Sequence, residues 1–278
     1  MIKLLEKIGE KVGYKYLRYG IPFQIECKKH KKEIDYLMSI LADDLSRDVL
    51  NAAIKSRKRR NNKYIKALYD TSNTKYLTLN SGDTVYYDPS QYFLKDIIKL
   101  SKDEVFIDGG GFVGDTTLNL IEQTSGIFKK AHIFEPIKRN CEQIKKNITE
   151  LSDKIILHNV GLYSSDEETY FEDSGSSSRV GKGKGKDLVK LVALDSHLSE
   201  EERSEITYIK LDVEGAELAA LEGMRDTIVK YNPKLAICLY HKPEDLWELP
   251  LYIHKLNPQY KFYIRQHQPV YETVLYAI

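Results

Sequence analysis

Two stretches of the sequence concentrate the residue types that do chemistry. The first, VFIDGGGFVGDTT at 105–117, sets four glycines between Asp108 and Asp115. Gly109, Gly111 and Gly114 fit the G-x-G-x-x-G pattern, in which missing side chains let a pyrophosphate approach a helix N-terminus. Here a carboxylate flanks the loop on each side, and two carboxylates repel a phosphate while suiting a cationic or hydroxyl-rich guest. S-Adenosylmethionine is such a guest, with an ammonium, a sulfonium and a ribose but no phosphate. Glu135, in HIFEP at 132–136, ends the next apolar run about twenty residues beyond the glycines, where a carboxylate can accept both ribose hydroxyls. That placement serves a nicotinamide enzyme as well as a methyltransferase. Plainer roles are a helix N-cap for Asp108 and an exposed strand-end charge for Glu135.

The second stretch, ITYIKLDVEGAELAALEGM at 206–224, ends an apolar strand at Asp212, follows it with Glu214, and opens a helix at Glu217. Ligands of open α/β sheets bind beyond the carboxyl ends of the strands, which places Asp212 and Glu214 beside the Asp108 loop. Glu217 reads as a charge that favours the positive end of its helix. The next strand, KLAICLY, runs into His241 at the same edge. An alcohol is a poor nucleophile at neutral pH, so a hydroxyl acceptor calls for a base. His241 is the candidate, with Asp212 orienting it or the substrate. Asp212, Glu214 and His241 could instead hold a divalent metal, although their spacing does not compel one. His267 is a weaker candidate, and Trp247 belongs either to a cavity wall or to the core.

These residues need elements to position them. Residues 1–90 read as helices followed by a β-hairpin around Asn80-Ser81-Gly82-Asp83, and 91–278 as the domain that carries the chemistry. Apolar runs at 104–108, 131–134, 155–159, 206–211 and 235–240 alternate with helical patterns, which implies a doubly wound, mostly parallel α/β sheet. The tail KFYIRQHQPVYETVLYAI closes it with an antiparallel hairpin. The Ser/Gly/Lys-rich stretch at 174–187 reads as a loop between two additional strands, either a solvated connection or a lid. A glycine loop followed by four further strands and a terminal hairpin is the layout of class I methyltransferases. Nicotinamide enzymes usually continue into a separate substrate domain.

Composition narrows the class. The 278 residues carry a net charge of +1, which argues against a general nucleic-acid or anionic-membrane binder. The basic run SRKRRNNK at 56–63 is the local exception; it reads as a solvated helix face, with a nucleic-acid-binding module as the competing interpretation. Three cysteines with no C-x-x-C spacing favour a reducing compartment over a disulfide framework or a structural zinc. Lys and Glu interrupt the N-terminal apolar residues, unlike a signal peptide, and no run approaches the roughly 20 apolar residues of a membrane span. The expected location is the cytoplasm.

With these motifs in order, the sequence resembles the FkbM-type methyltransferases, S-adenosylmethionine-dependent enzymes of the class I, Rossmann-like fold. VFIDGGGFVGDTT, HIFEPIKRNCEQIKKNI, VALDSHL and YIKLDVEGAELAALEGM carry the resemblance, and AICLYHKPEDLWELPLYI with ETVLYA is similar to one bacterial branch. Coverage runs from about residue 92 to the end, so residues 1–90 form a helical N-terminal extension outside the shared pattern. The resemblance implies a cofactor site of Asp108, Gly109, Gly110, Gly114, Asp115, Glu135 and Asp212. Within it Asp108, Gly110 and Gly114 approach the methionine part and Glu135 the ribose, while Asp212 lies beside the reacting centre. It implies methyl transfer to a hydroxyl of a small molecule or saccharide, leaving S-adenosylhomocysteine. No nucleic-acid partner is expected, and a homo-oligomer is compatible with the sequence. The nicotinamide oxidoreductase is the other enzymatic alternative.

Overall fold

Apolar runs too uniform to alternate become strands of a sheet covered on both faces. The computed structural model describes residues 20–66, 68, 75–78, 84–149, 153–172, 179–181, 187–268 and 272–278. Its strands are β1 (Lys75–Thr78), β2 (Thr84–Tyr87), β3 (Val105–Gly109), β4 (Lys130–Phe134), β5 (Ile155–His158), β6 (Gly161–Leu162), β7 (Glu167–Glu172), β8 (Arg179–Gly181), β9 (Asp187–Val192), β10 (Tyr208–Leu211), β11 (Lys234–Cys238), β12 (Phe262–Gln266) and β13 (Thr273–Ala277). Seven of them form the main sheet in the order β12-β13-β11-β10-β3-β4-β5. Pairs from β5 to β11 are parallel, and β13 runs antiparallel to both β11 and β12. This is the expected α/β sheet of class I methyltransferases, terminal hairpin included.

The smaller elements follow the sequence as well. β1 and β2 pair antiparallel as the expected hairpin, whose turn at 80–83 lies outside the described residues. β6, β9, β7 and β8 make a second, four-stranded sheet. It supplies strands on both sides of the Ser/Gly/Lys-rich stretch and, contrary to the loop expected over 174–187, places β8 inside it, paired antiparallel with β7. Residues 173–178 and 182–186, where a lid was one reading, lie outside the described residues. Cys27, Cys141 and Cys238 are free, buried thiols. Among the described residues, no helix is long and apolar enough to cross a membrane.

The N-terminal helices share their core with the sheet: Phe23, Leu37 and Leu50 pack in one cluster with Ile209, Ile237 and Phe262. Their placement solves the problem of an edge strand, whose unpaired N–H and C=O groups invite foreign pairing. β12 is that edge. The Ala42 N–H donates to the Phe262 carbonyl at 2.8 Å, and the Ile264 N–H donates to Ser46 Oγ at 2.9 Å. Asp43 caps the helix at 44–59 through the Ser46 N–H and binds the Arg265 guanidinium of β12 at 2.6 Å. The basic run contributes to the same contact, since buried Arg57 donates to the carbonyls of Leu239 and Pro243. At least this member of the run is not a solvated charge.

Burial opposes ionisation of Asp43, but Arg265 and the Ser46 donors outweigh it and hold the carboxyl down at about 2, below the ordinary 3.8. A group with a depressed folded pKa stabilises above its unfolded value and loses that contribution as pH falls through the folded one. Asp43→Ala should therefore cost about 0.5–2 kcal/mol at neutral pH, the range for a lost cap. In urea unfolding, the gap from wild type should close as the pH is lowered from 3.8 towards 2.

Candidate active site

The loop after β3 is shaped by the chain's own backbone. Gly110 has φ +82°, and a Cβ there would lie 1.9 Å from the Asp212 carbonyl oxygen, so only glycine lets the turns after β3 and β10 meet. Gly114, with φ +87°, is the N-cap of the helix at 115–124. Below these turns lies a buried ion pair between register neighbours: Lys210 Nζ is 2.9 Å from Asp108 Oδ1 and also donates to the Gly110 carbonyl at 2.7 Å. Thr117 Oγ1 donates to the other Asp108 oxygen at 2.8 Å.

Above the turns opens a cavity of about 500 Å³ at the carboxyl edge of the parallel strands. Of the expected cofactor residues, Gly110, Asp115, Glu135 and Asp212 line it. Asp108 does not: fully buried, its carboxylate is taken up by Lys210 and Thr117, so it holds the loop from beneath. Gly109 and Gly114 also lie outside the lining, packed against Leu211 and Ile148. Glu135 accepts the N–H groups of Phe112 and Ile137, each at 2.9 Å, and Asn140 Nδ2 at 3.2 Å. Burial nevertheless pushes it up to about 7. Burial likewise raises Asp115, to about 6, with Asp108 and Asp212 adding to the effect against Lys210.

At the other end, Asp212 receives the hydroxyls of Tyr240 at 2.8 Å on Oδ1 and Tyr92 at 3.0 Å on Oδ2. Gln91, Tyr92 and Glu272 also line the cavity, and no motif in the sequence points to any of the three. Tyr208 and Tyr276 hold the 91–92 segment by donating their hydroxyls to its carbonyls. The Asp-Pro-Ser at 88–90 signals a turn, built by the Ser90 N–H on Asp88 Oδ1 at 2.8 Å. Nothing local says which way the turn faces.

Known proteins fix the family. Residues 108–266, more than half of the chain, match the methyltransferase FkbM domain. The chain belongs to the FkbM methyltransferase family. A crystal structure of methyltransferase FkbM from Methylobacillus flagellatus KT superposes with a TM-score of 0.74 at 25% identity, over 91% of this chain and 60% of that one. This chain thus spans about three fifths of that longer protein. Weaker likenesses are an rRNA methylase from Streptococcus thermophilus (TM-score 0.43, 16% identity, 68% of this chain and 93% of that one) and Aeropyrum pernix fibrillarin with natively bound S-adenosyl-L-methionine (0.40, 11%, 75% and 84%). No curated protein matches the sequence.

In this FkbM-family site His241 cannot serve as the expected base. It is buried behind Asp212 and does not line the cavity. Its Nδ1 lies 2.8 Å from Glu217 Oε1, and its Nε2 lies 3.4 Å from both Asp212 Oδ1 and Glu214 Oε2. Burial opposes a charge on the ring, but Glu217, Glu214 and Asp212 together hold the imidazolium well above the usual histidine range. A ring that keeps both protons near neutral pH accepts none. Asp212, Glu214 and His241 do converge, and Asp212, Glu217 and His241 bring ligand atoms within 4.8 Å of one another; a divalent ion there would have to displace a ring proton, since an imidazolium has no lone pair to offer. Glu217 is more than a helix-end charge, since it is fully buried and accepts the N–H groups of Val213 and Gly215. His267 is buried between Asp88 and Tyr276, and Trp247 sits in the core against Phe23 and His30, so neither reaches the cavity.

Replacing His241 by Gln leaves the buried Glu217 carboxylate without its counter-charge, which should cost about 3–5 kcal/mol. A histidine with a raised folded pKa contributes fully below its unfolded value of about 6.5 and loses that contribution as pH climbs through the folded one. Thermal unfolding of His241→Gln should therefore fall furthest below wild type near pH 6 and approach it under alkaline conditions.

Proposed function

We propose that the protein is an S-adenosylmethionine-dependent O-methyltransferase acting on a hydroxyl of a small molecule or saccharide. The acidic lining of the cavity carries this reading. Glu135, Asp115, Asp212, Glu214 and Glu272 line it against Lys210 and Arg139, and Lys210 is already engaged by Asp108, so the surplus of acids disfavours a pyrophosphate and suits a cationic nucleoside. We assign Glu135, at the end of β4, to the ribose hydroxyls, with the loop after β3 and Asp115 sharing the cavity. When bound, S-adenosylmethionine supplies a methyl group made electrophilic by the neighbouring sulfonium charge.

The protein's own part is placement and proton handling. Asp212 stays ionised despite burial because His241 and Lys210 lie close and two tyrosine hydroxyls donate to it. Each of its oxygens keeps a lone pair for an acceptor hydroxyl, which it can orient and relieve of a proton. A weak base suffices, since the hydroxyl proton becomes strongly acidic as its oxygen is alkylated. Tyr92 and Tyr240 give the cavity amphipathic walls, Phe112 an apolar one, and Gln268 adds an amide, a lining that suits a polyol. Alignment alone can lower such a barrier by about 7–11 kcal/mol.

Calorimetry should show binding of S-adenosylmethionine and S-adenosylhomocysteine and none of NAD. Uptake of NAD with neither adenosyl compound bound would overturn the proposal. Incubation with methyl-labelled S-adenosylmethionine and a panel of methyl glycosides and polyols should transfer label into an ether, and label appearing only on nitrogen or carbon would exclude the O-methyl assignment. On an accepted hydroxyl, Asp212→Asn should lower kcat by about 10²–10⁴-fold while cofactor affinity changes far less.

A further inference from the structure

Glu272 immediately precedes β13, the last strand of the sheet, and takes no part in the chemistry described above. It lines the cavity, and its carboxylate comes within 4.8 Å of that of Asp212. Two carboxylates so close repel one another. Gln91 Nε2 donates to Glu272 at 2.5 Å, and Tyr240 also hydrogen-bonds to it. The ionisable groups around it are Asp212 after β10, Cys238 on β11, Tyr240 and His241 beyond β11, and Tyr92 before β3. Of these only His241 is a cation, and it is already clamped by three other carboxylates. Burial first, and then Asp212, push Glu272 up to about 7. The chain holds it with φ +61°, a left-handed backbone that non-glycine residues adopt at a cost. A strained backbone thus keeps an acid where its ionised form is poorly compensated, facing open space, and a positive charge entering that space would relieve it.

We propose that Glu272, paired with Asp212, is a specificity-determining residue that makes the cavity prefer the positively charged cofactor over its neutral product. The inference rests on S-adenosylmethionine being the cofactor. That compound and S-adenosylhomocysteine share the adenosine and the amino acid and differ in the methyl group and the sulfonium charge it creates. An opposite charge within about 4–6 Å changes a carboxylate's pKa by about 1–3, and each such step corresponds to tenfold in affinity. Glu135 and Asp115 also face the cavity, but they meet the parts common to both compounds and cannot separate them.

The test is calorimetric titration of wild type and Glu272→Gln with S-adenosylmethionine and with S-adenosylhomocysteine at pH 7.5. Glu272→Gln is expected to weaken S-adenosylmethionine about tenfold and to leave S-adenosylhomocysteine within about twofold. Equal loss for both compounds, or loss for neither, overturns the proposal. A wild-type protein that binds neither compound defeats the cofactor reading itself, which is a different failure. Should Glu272→Gln not fold, the ratio of the two wild-type affinities is measured instead from pH 6 to pH 8. It should rise several-fold as Glu272 ionises, and a flat ratio overturns the proposal.

Discussion

The site depends on the salt bridge between Lys210 and Asp108. Both side chains are almost wholly removed from water, where an ion pair survives only if its remaining hydrogen-bonding capacity is met. Here it is, by Thr117 on the acid and the Gly110 carbonyl on the ammonium. Because the two residues are register neighbours on β3 and β10, the pair ties the ends of the two central strands. The turns that leave those strands are then forced into contact, and Gly110 is the residue that permits it. The glycine-rich loop is therefore a packing device first. At Gly110, Gly111 and Gly109 the nearest atoms belong to Asp212, Ile133 and Leu211, so the loop gains its shape from the chain before any ligand arrives.

A second buried charge sets the chemistry above that floor. The His241 imidazolium and the Lys210 ammonium flank Asp212 and keep it ionised in surroundings that would otherwise protonate it. This division of labour explains why a histidine at a strand end, a natural base by position, is the wrong group to accept a proton. It is a fixed cation whose effect is electrostatic, and the carboxylate beside it is the group left able to accept a proton. Glu217 completes the arrangement by binding both His241 and the turn at 213–215, which couples the charge to the backbone that presents Asp212 and Glu214.

What could be read from the sequence followed a physical divide. Strands buried on both faces announce themselves as apolar runs, and the expected runs coincide with β3, β4, β5, β10 and β11 to within about two residues. The residues at their carboxyl ends, Glu135 and Asp212, reach the cavity because topology alone puts strand ends there. Partnership across long separations was not legible. Lys210 interrupts an apolar strand and looks like a surface lysine, since its reason for being buried stands 102 residues away. Asp108 looks like a ligand contact for want of that partner, and His241 looks neutral because only folding turns Glu217 inward onto its ring. Tyr92 and Glu272 come from opposite ends of the sheet-forming region, and only the closed sheet makes them neighbours.

The cavity also concentrates backbone strain. Among the described residues, six besides glycine have left-handed φ, and Phe112, Glu214 and Glu272 are three of them, all on its lining. Such conformations persist only where the surroundings over-determine them. Glu214 is held by the turn that Glu217 binds, and Phe112 by its N–H on Glu135. The N-terminal helices add a more distant restraint. From the helix at 44–59, Arg57 grips the carbonyls of Leu239 and Pro243, on either side of Tyr240 and His241. The same helix closes the outer edge of β12, whose hairpin partner β13 begins one residue after Glu272. Helices that precede the matched domain at 108–266 thus support both the segment that charges Asp212 and the strand pair that follows Glu272. Variation in these helices would reach the Asp212 end of the cavity without any of their residues lining it.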